Sequence, residues 1–258
     1  MLDTKRLLDQ FLGVPNAGQV PAPQPQRGAG PLSDIASGAQ NMLGGSLGGI
    51  GGGALAGGLA ALLLGSKGGR KLAGNVLTYG GMAVLGALAY RAYQNYQAGR
   101  SPAETASAAS ASMPALPPPQ GTPFNPAGEA AQQSLARNLL RAMIAAAKAD
   151  GHIDATEQAN IFAQMDQLNL TADEKAFVIG ELRRPLDIDA VAGGVKSPEE
   201  AAEVYAASLL AIDLDNAAER GYLGMLAARL NLDEKLVAHL HATVEGGTEK
   251  TPAPASGA

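Results

Sequence analysis

Residues 35–66 read IASGAQNMLGGSLGGIGGGALAGGLAALLLGS, and residues 72–90 read LAGNVLTYGGMAVLGALAY. What covers these two stretches decides the fold. The first holds no charged residue in 32 positions, more than the roughly 20 apolar residues that span a bilayer core. Its glycines are regular: Gly45, Gly49, Gly53 and Gly57 fall four apart, with Gly44, Gly48 and Gly52 in a second row. At that spacing they share one helix face, whose groove lets another helix backbone approach closely in lipid. In water each such glycine costs about 1 kcal/mol relative to Ala. Leu62, Leu63 and Leu64 beside the zipper spacing favour a membrane helix over a flexible glycine-rich linker. Gly44-Gly45-Ser46-Leu47-Gly48 formally matches G-x-S-x-G, but a nucleophile elbow needs a strand before it and a helix after it.

Lys67, Arg70 and Lys71 end the first stretch. The 19 residues of the second would just span; Arg91 closes it, and Tyr90, Tyr93 and Tyr96 suit an interfacial belt. Two arrangements fit. Either both stretches cross as a hairpin turning at Lys67–Lys71, or one crosses and the second packs on the surface or on neighbouring helices. The Lys/Arg distribution does not orient a hairpin, because the turn holds three and the flanks hold Arg27, Arg91 and Arg100.

Outward from this region, Leu2, Leu7, Leu8, Phe11 and Leu12 share a face of a short amphipathic helix, marginal alone. It is read as lying on a membrane, packing on a partner, or fraying. Asp3 and Asp9 and the Pro-rich stretch after it argue against a signal peptide. Residues 1–34 are thus this helix and a Pro/Gly linker, and 35–97 the hydrophobic membrane region. Residues 98–128, rich in Ala, Ser and Pro, read as a disordered linker, and 246–258 as a disordered tail.

Residues 129–245 read as an acidic all-helical domain. Leu135, Leu139, Leu140, Met143 and Ile144 keep helical spacing; so do Ile161 with Met165, Val178 with Leu182, Val204 with Tyr205 and Leu209, Tyr222 with Leu226, and Leu236 with Leu240. Thr171-x-x-Glu174 and Ser197-Pro198-x-Glu200 are helix-start signals. Residues 1–126 carry 8 Lys+Arg against 4 Asp+Glu, and residues 127–245 carry 10 against 19. The acidic half makes nucleic acid an unsuitable partner, since phosphate neutralisation needs clustered Lys/Arg. The basic half suits a membrane surface.

The chain has no Cys, which removes disulfides, thiolate metal sites and cysteine nucleophiles. Asp150, Gly151, Ile153, Asp154 and Glu157 match positions five, six, eight, nine and twelve of a calcium-binding loop, but the first two ligand positions would be Ala146 and Lys148. The plain alternative is a tight helix turn in which Gly151 relieves the backbone and Asp154 caps the next helix. A second acidic turn holds Asp213, Asp215 and Glu219. Together the six carboxylates offer hard oxygen ligands for calcium, magnesium or manganese; capping by Asn216 and Glu219 is the alternative. His239 and His241 lie two apart and do not share a helix face. No catalytic residues are identified, no small-molecule substrate is implied, and the expectation is a protein that is not an enzyme.

SKGGRKLAGNVLTYGGMAVLGALAYRAYQNYQ (residues 66–97) and the opening LDTKRLLDQFLG resemble YebE-like inner-membrane proteins, a family of unknown function. AKADGHIDATEQ (147–158) and AIDLDNAAERGYLGMLAARLNL (211–232) resemble the two acidic turns of a TerB-type, tellurite-resistance domain. The resemblance implies an all-α chain: N-terminal glycine-rich membrane segments plus a C-terminal TerB-like compact helical domain. It also implies a bacterial inner-membrane location and a metal-responsive site on Asp150, Asp154, Asp213, Asp215, Glu157 and Glu219; the side that holds the C-terminal domain stays open, leaning cytoplasmic. Without Cys, direct detoxification of a tellurium oxyanion lacks its thiolate. The expected function is an inner-membrane-anchored protein that displays an acidic helical domain to a protein or divalent cation, in envelope or tellurite/metal stress. Self-association or another membrane protein would engage the helix-association residues Gly45, Gly49, Gly53 and Gly57. The alternative is a divalent-metal sensor built on the two acidic turns.

Overall fold

The computed structural model describes residues 2–12, 81–105, 121–149, 161–162, 165, 170–212, 214 and 217–248. The main helices there are α1 (Thr4–Phe11), α2 (Gly81–Gln97), α3 (Glu129–Ala147), α4 (Ala172–Arg183), α5 (Ile188–Ala192), α6 (Pro198–Leu210), α7 (Ala217–Arg229) and α8 (Glu234–Thr248). Among the described residues the only β pairing is an isolated bridge between Thr122 and Asn125. The all-α expectation holds.

Two helices are central. From Ala201 to Leu210 every residue of α6 is buried, and α6 packs on α3, α2, α8 and α7. The other is α2, whose Val84, Leu85, Leu88, Ala89 and Ala92 are buried against α6, α8 and α1. A helix that is apolar nearly all round must be covered by something. Here protein does it, which corrects the hairpin arrangement of the two uncharged stretches. From Met82 to Ala89 every residue but Ala83 is buried in the bundle, and only 72–80 of the second stretch lie outside the described residues, well short of the ~20 needed to cross. Of the two arrangements, this part of the chain takes packing on neighbouring helices. No helix among the described residues is long and apolar enough to span a membrane. The uncharged run 35–66, with Gly45, Gly49, Gly53 and Gly57, lies outside the described residues.

The amphipathic helix α1 finds its partner within its own chain. Leu7, Leu8 and Phe11 are fully buried, and α1 packs on α3 and α2. Asp3 caps it by accepting from the Arg6 amide. Gln133 of α3 then clamps this turn: its Nε2 donates to Asp3 Oδ1 at 2.8 Å, and its carbonyl accepts from the Thr4 hydroxyl at 2.6 Å. The tertiary contacts supply the stability that so short a helix lacks alone.

The range read as a disordered linker is also partly core. Phe124 is 4% exposed and meets the edges of Tyr90 and Tyr93 at 5.5 and 5.6 Å between ring centroids. The buried Thr105 hydroxyl lies 2.8 Å from His239 Nδ1 on α8. These contacts hold both flanks of 106–120 to the bundle. Tyr90, Tyr93 and Tyr96 consequently pack on the core instead of forming a lipid-facing belt. A Thr105→Val variant leaves a buried imidazole nitrogen without its partner. We expect a loss of about 1–3 kcal/mol, read from the urea midpoint of unfolding.

The capping signals are realised to different degrees. Thr171 and Glu174 form a complete reciprocal box. Ser197 accepts from the Glu200 amide, but the Glu200 carboxylate turns back one residue further, to the Lys196 amide at 2.9 Å, and also takes Asn138 Nδ2 at 2.7 Å. That amide donates to the Gly194 carbonyl too, at 2.8 Å. A Cβ on Gly194 would lie 2.6 Å from Asn138 Oδ1, so only glycine lets the α5–α6 turn approach α3 this closely.

Candidate functional site

The acidic constellation expected from the sequence falls largely outside the described residues: Asp150, Asp154, Glu157, Asp213 and Asp215 are not among them. Glu219 is placed, half-buried, in the first turn of α7. Among the described residues no group of three or more His, Asp or Glu side chains is arranged to hold a metal ion.

The flank of the first acidic turn is well defined and structural. The Lys148 ammonium, at the third position of the calcium-loop alignment, donates to the main-chain carbonyls of Glu181 (3.1 Å) and Arg184. It thereby closes the C-terminus of α4, where unpaired carbonyls carry partial negative charge. Glu181 in turn accepts from Arg141 at 3.0 Å and lies 3.4 Å from Arg184. Lys148 therefore fastens α4 to α3, a role its charge suits and a calcium ligand's does not.

The two histidines of α8 serve different neighbours, as their spacing requires. His239 takes Thr105 and meets Tyr96 at 6.4 Å between rings. His241 Nε2 lies 2.9 Å from the Tyr205 hydroxyl. Burial lowers the His241 pKa, with Glu245 opposing, and pushes the Tyr205 phenol up to about 12. Both side chains are therefore neutral near pH 7, and the pair joins α6 to α8 without charge.

A groove of about 440 Å³ opens where α2, the α5–α6 turn and the α7–α8 turn converge. Tyr93 and Tyr96 form its aromatic wall, and Val195, Leu232 and Leu236 add apolar surface. The α7–α8 edge is shaped by Asn231, whose φ of 53° is left-handed. The Leu232 amide reaches the Ala227 carbonyl and the Asn231 amide the Ala228 carbonyl, both closing bonds of a Schellman turn. Lys196 and Arg229 stand at the rim, Arg229 paired with Asp189 at the surface. Such an exposed pair contributes little stability. The groove's wall can accept an apolar side chain, and its rim can orient a polar group. It contains no nucleophile beside a general base. The spacing of Tyr90, Tyr93 and Tyr96 could have signalled a packed aromatic face; reading them as a membrane belt concealed the groove.

Glu203, at the centre of α6, is a fully buried acid, as is Glu174 in the first turn of α4. Neither carboxylate oxygen of Glu203 has a hydrogen-bond partner. Desolvation pushes its pKa well above the ordinary 4.5, and the charge of Glu200 adds to the effect. Periodicity did not single it out, because an i, i+3 Glu pair at a helix start reads as ordinary solvated charge.

No solved structure matches the chain. An uncharacterized protein in the ampR 5′ region of Yersinia enterocolitica is 32% identical over 98 residues, covering 38% of this chain and 70% of that protein. The model of a family described as "Protein of unknown function (DUF533)" matches residues 49–244. That range joins the second half of the uncharged run to α2–α8. The chain belongs to the DUF533 family, a TerB-like family of unknown function.

Proposed function

We propose that this chain is a non-enzymatic, membrane-anchored interaction protein, in which the run 35–66 makes the membrane contact and the helical bundle is displayed beside it. This reading includes the inner-membrane location carried by the YebE-like resemblance. One observation supports it above others: among the described residues the apolar helix faces are covered within the chain, the groove beside Tyr93 and Tyr96 apart. The large exposed hydrophobics among the described residues are Leu186 and Met225, single and far apart in sequence. Scattered singly, such residues need no partner. The apolar stripes of α1 and α2 are covered within the chain. The uncharged run carries leucines and zipper glycines, and lipid is the solvent in which its spacing is favourable.

Membrane fractionation tests this. The full chain should stay in the pellet after a carbonate wash. A variant lacking residues 35–66 should move to the supernatant with its helical circular dichroism retained, since none of the described core is removed. A full chain that washes off would sink the reading. Calorimetric titration of the same chain with calcium, magnesium and manganese addresses the sensor alternative; a saturable heat abolished by Asp213→Asn with Asp215→Asn would replace a protein partner by a cation.

A further inference from the structure

We infer that the groove between α2, the α5–α6 turn and the α7–α8 turn is a binding site for a small organic anion, an apolar aromatic body that carries one carboxylate. Such a site is independent of the membrane contact proposed above.

The apolar part of the site is already formed. Ala201, Leu230 and Leu236 line it and are buried, and the half-buried Tyr93 and Tyr96 make one wall, their ring centroids 6.4 Å apart. Each ring is braced by a neighbour that does not itself line the groove. Phe124 meets Tyr93 edge to face at 5.6 Å, and His239 meets Tyr96 in the same way at 6.4 Å. Rings held in this manner lose little freedom when a ligand arrives, which lowers the ordering cost of binding. The volume of about 440 Å³ falls within the roughly 300–1,000 Å³ of small-molecule pockets, which combine a mostly apolar lining with a few polar groups. A protein partner would need about 800 Å² of contact on its side. The large exposed hydrophobics among the described residues, Leu186 and Met225, do not line the groove, so they do not widen it into such a face.

The polar groups select the charge. Lys196, Arg229 and Asp233 are the charged residues of the lining. Asp233 accepts from the Lys235 amide at 2.8 Å at the start of α8, and Arg229 is paired with Asp189. That leaves Lys196. Among the described residues its ammonium has no acceptor, and only its amide is engaged, by Glu200. Ser197 and Pro198 at the start of α6 also line the groove, as Asp233 does at the start of α8. The positive ends of two helix dipoles therefore add to the Lys196 charge. This positive spot stands in a region that carries 10 Lys+Arg against 19 Asp+Glu. One free ammonium matches the single charge of a carboxylate better than the double charge of a phosphate monoester.

Isothermal titration of the purified full chain with 2-naphthoate, and with the uncharged 2-naphthylmethanol, tests the site. Naphthoate should saturate one site per chain and bind about three- to fivefold more tightly than the alcohol, the scale of one exposed ion pair. Lys196→Gln should remove that preference and leave the alcohol unchanged; the side chain is exposed, so its loss spares the fold. Leu232→Trp, which fills the groove, should weaken both ligands by more than about tenfold, with helical circular dichroism and the melting curve reporting an intact bundle. No saturable naphthoate binding, equal affinity for acid and alcohol, or a preference that survives Lys196→Gln overturns the proposal. So does full binding by a folded Leu232→Trp chain, which would put the naphthyl ring elsewhere. The Lys196→Gln comparison decides even if Leu232→Trp unfolds.

Discussion

The Glu203→Gln variant should melt above the parent chain at neutral pH, by roughly 2–12 °C. Glu203 is wholly buried in the central helix, and neither carboxylate oxygen is hydrogen-bonded. At neutral pH the folded chain either holds a desolvated charge or keeps a proton that water would remove, and both disfavour folding. A Gln there stays unpaired but cannot ionise, so the gain is the extra cost of a buried charged group over a neutral one, on the order of 1–3 kcal/mol. For a domain of this size, each kcal/mol moves the midpoint about 2–4 °C.

The sign of the pH dependence follows from the raised folded-state pKa. The folded state binds the proton more tightly than the unfolded state. The stability associated with Glu203 is fully present below the unfolded value near 4.5 and is lost as pH rises toward the folded value. The gap between variant and parent should therefore be small in acid and widen with pH. His241 works in the opposite direction, because burial lowers its pKa: it stays neutral in the fold, and its contribution is lost as pH falls through its folded value. Being common to both chains, it cancels in the difference. Thermal melts of the two proteins across pH decide the matter; a gap that does not change with pH, or a variant that melts lower, would show that Glu203 is satisfied.

Phe11→Ala should lower stability by about 3–5 kcal/mol, as large-to-alanine changes at fully buried aromatic sites do. Phe11 has no solvent exposure, although the next described segment of the chain begins at Gly81. The expected signature is twofold: a fall in the urea midpoint, and amide exchange in residues 4–11 that accelerates more than exchange in α6. If Phe11 belonged to a frayed or membrane-lying helix instead, the loss would be within about 0.5 kcal/mol, as for a surface position.

Local order was largely legible. The apolar spacing in 129–245 anticipates residues that the structure buries, among them Leu139, Met143, Val178, Val204, Tyr222, Leu226 and Leu240. Thr171 and Glu174 form the complete cap that their spacing indicates. These features depend on neighbours three or four positions apart, which a helix brings together regardless of what lies around it.

Less legible were the contacts that join distant segments. Thr4 reaches Gln133 across 129 positions, and Thr105 reaches His239 across 134. Phe124 gives no periodic signal, because it sits alone among Pro, Gly and Thr. The groove wall at Tyr93 and Tyr96 exists only because α5, α7 and α8 arrive beside α2. Of the candidate site, Glu219 alone is placed, and the residues that shape the groove edge, Asn231 and Lys196, carry no motif.

By itself, then, the sequence determined that α2 is a helix in need of apolar cover on nearly every side, and that 129–245 folds into amphipathic helices with defined starts. It could not determine what the cover is, because a lipid tail and a leucine side chain are equally apolar partners. Tertiary structure decided that for α2: α1, α6 and α8 surround it, so the stretch that reads as a crossing is the centre of a helical bundle.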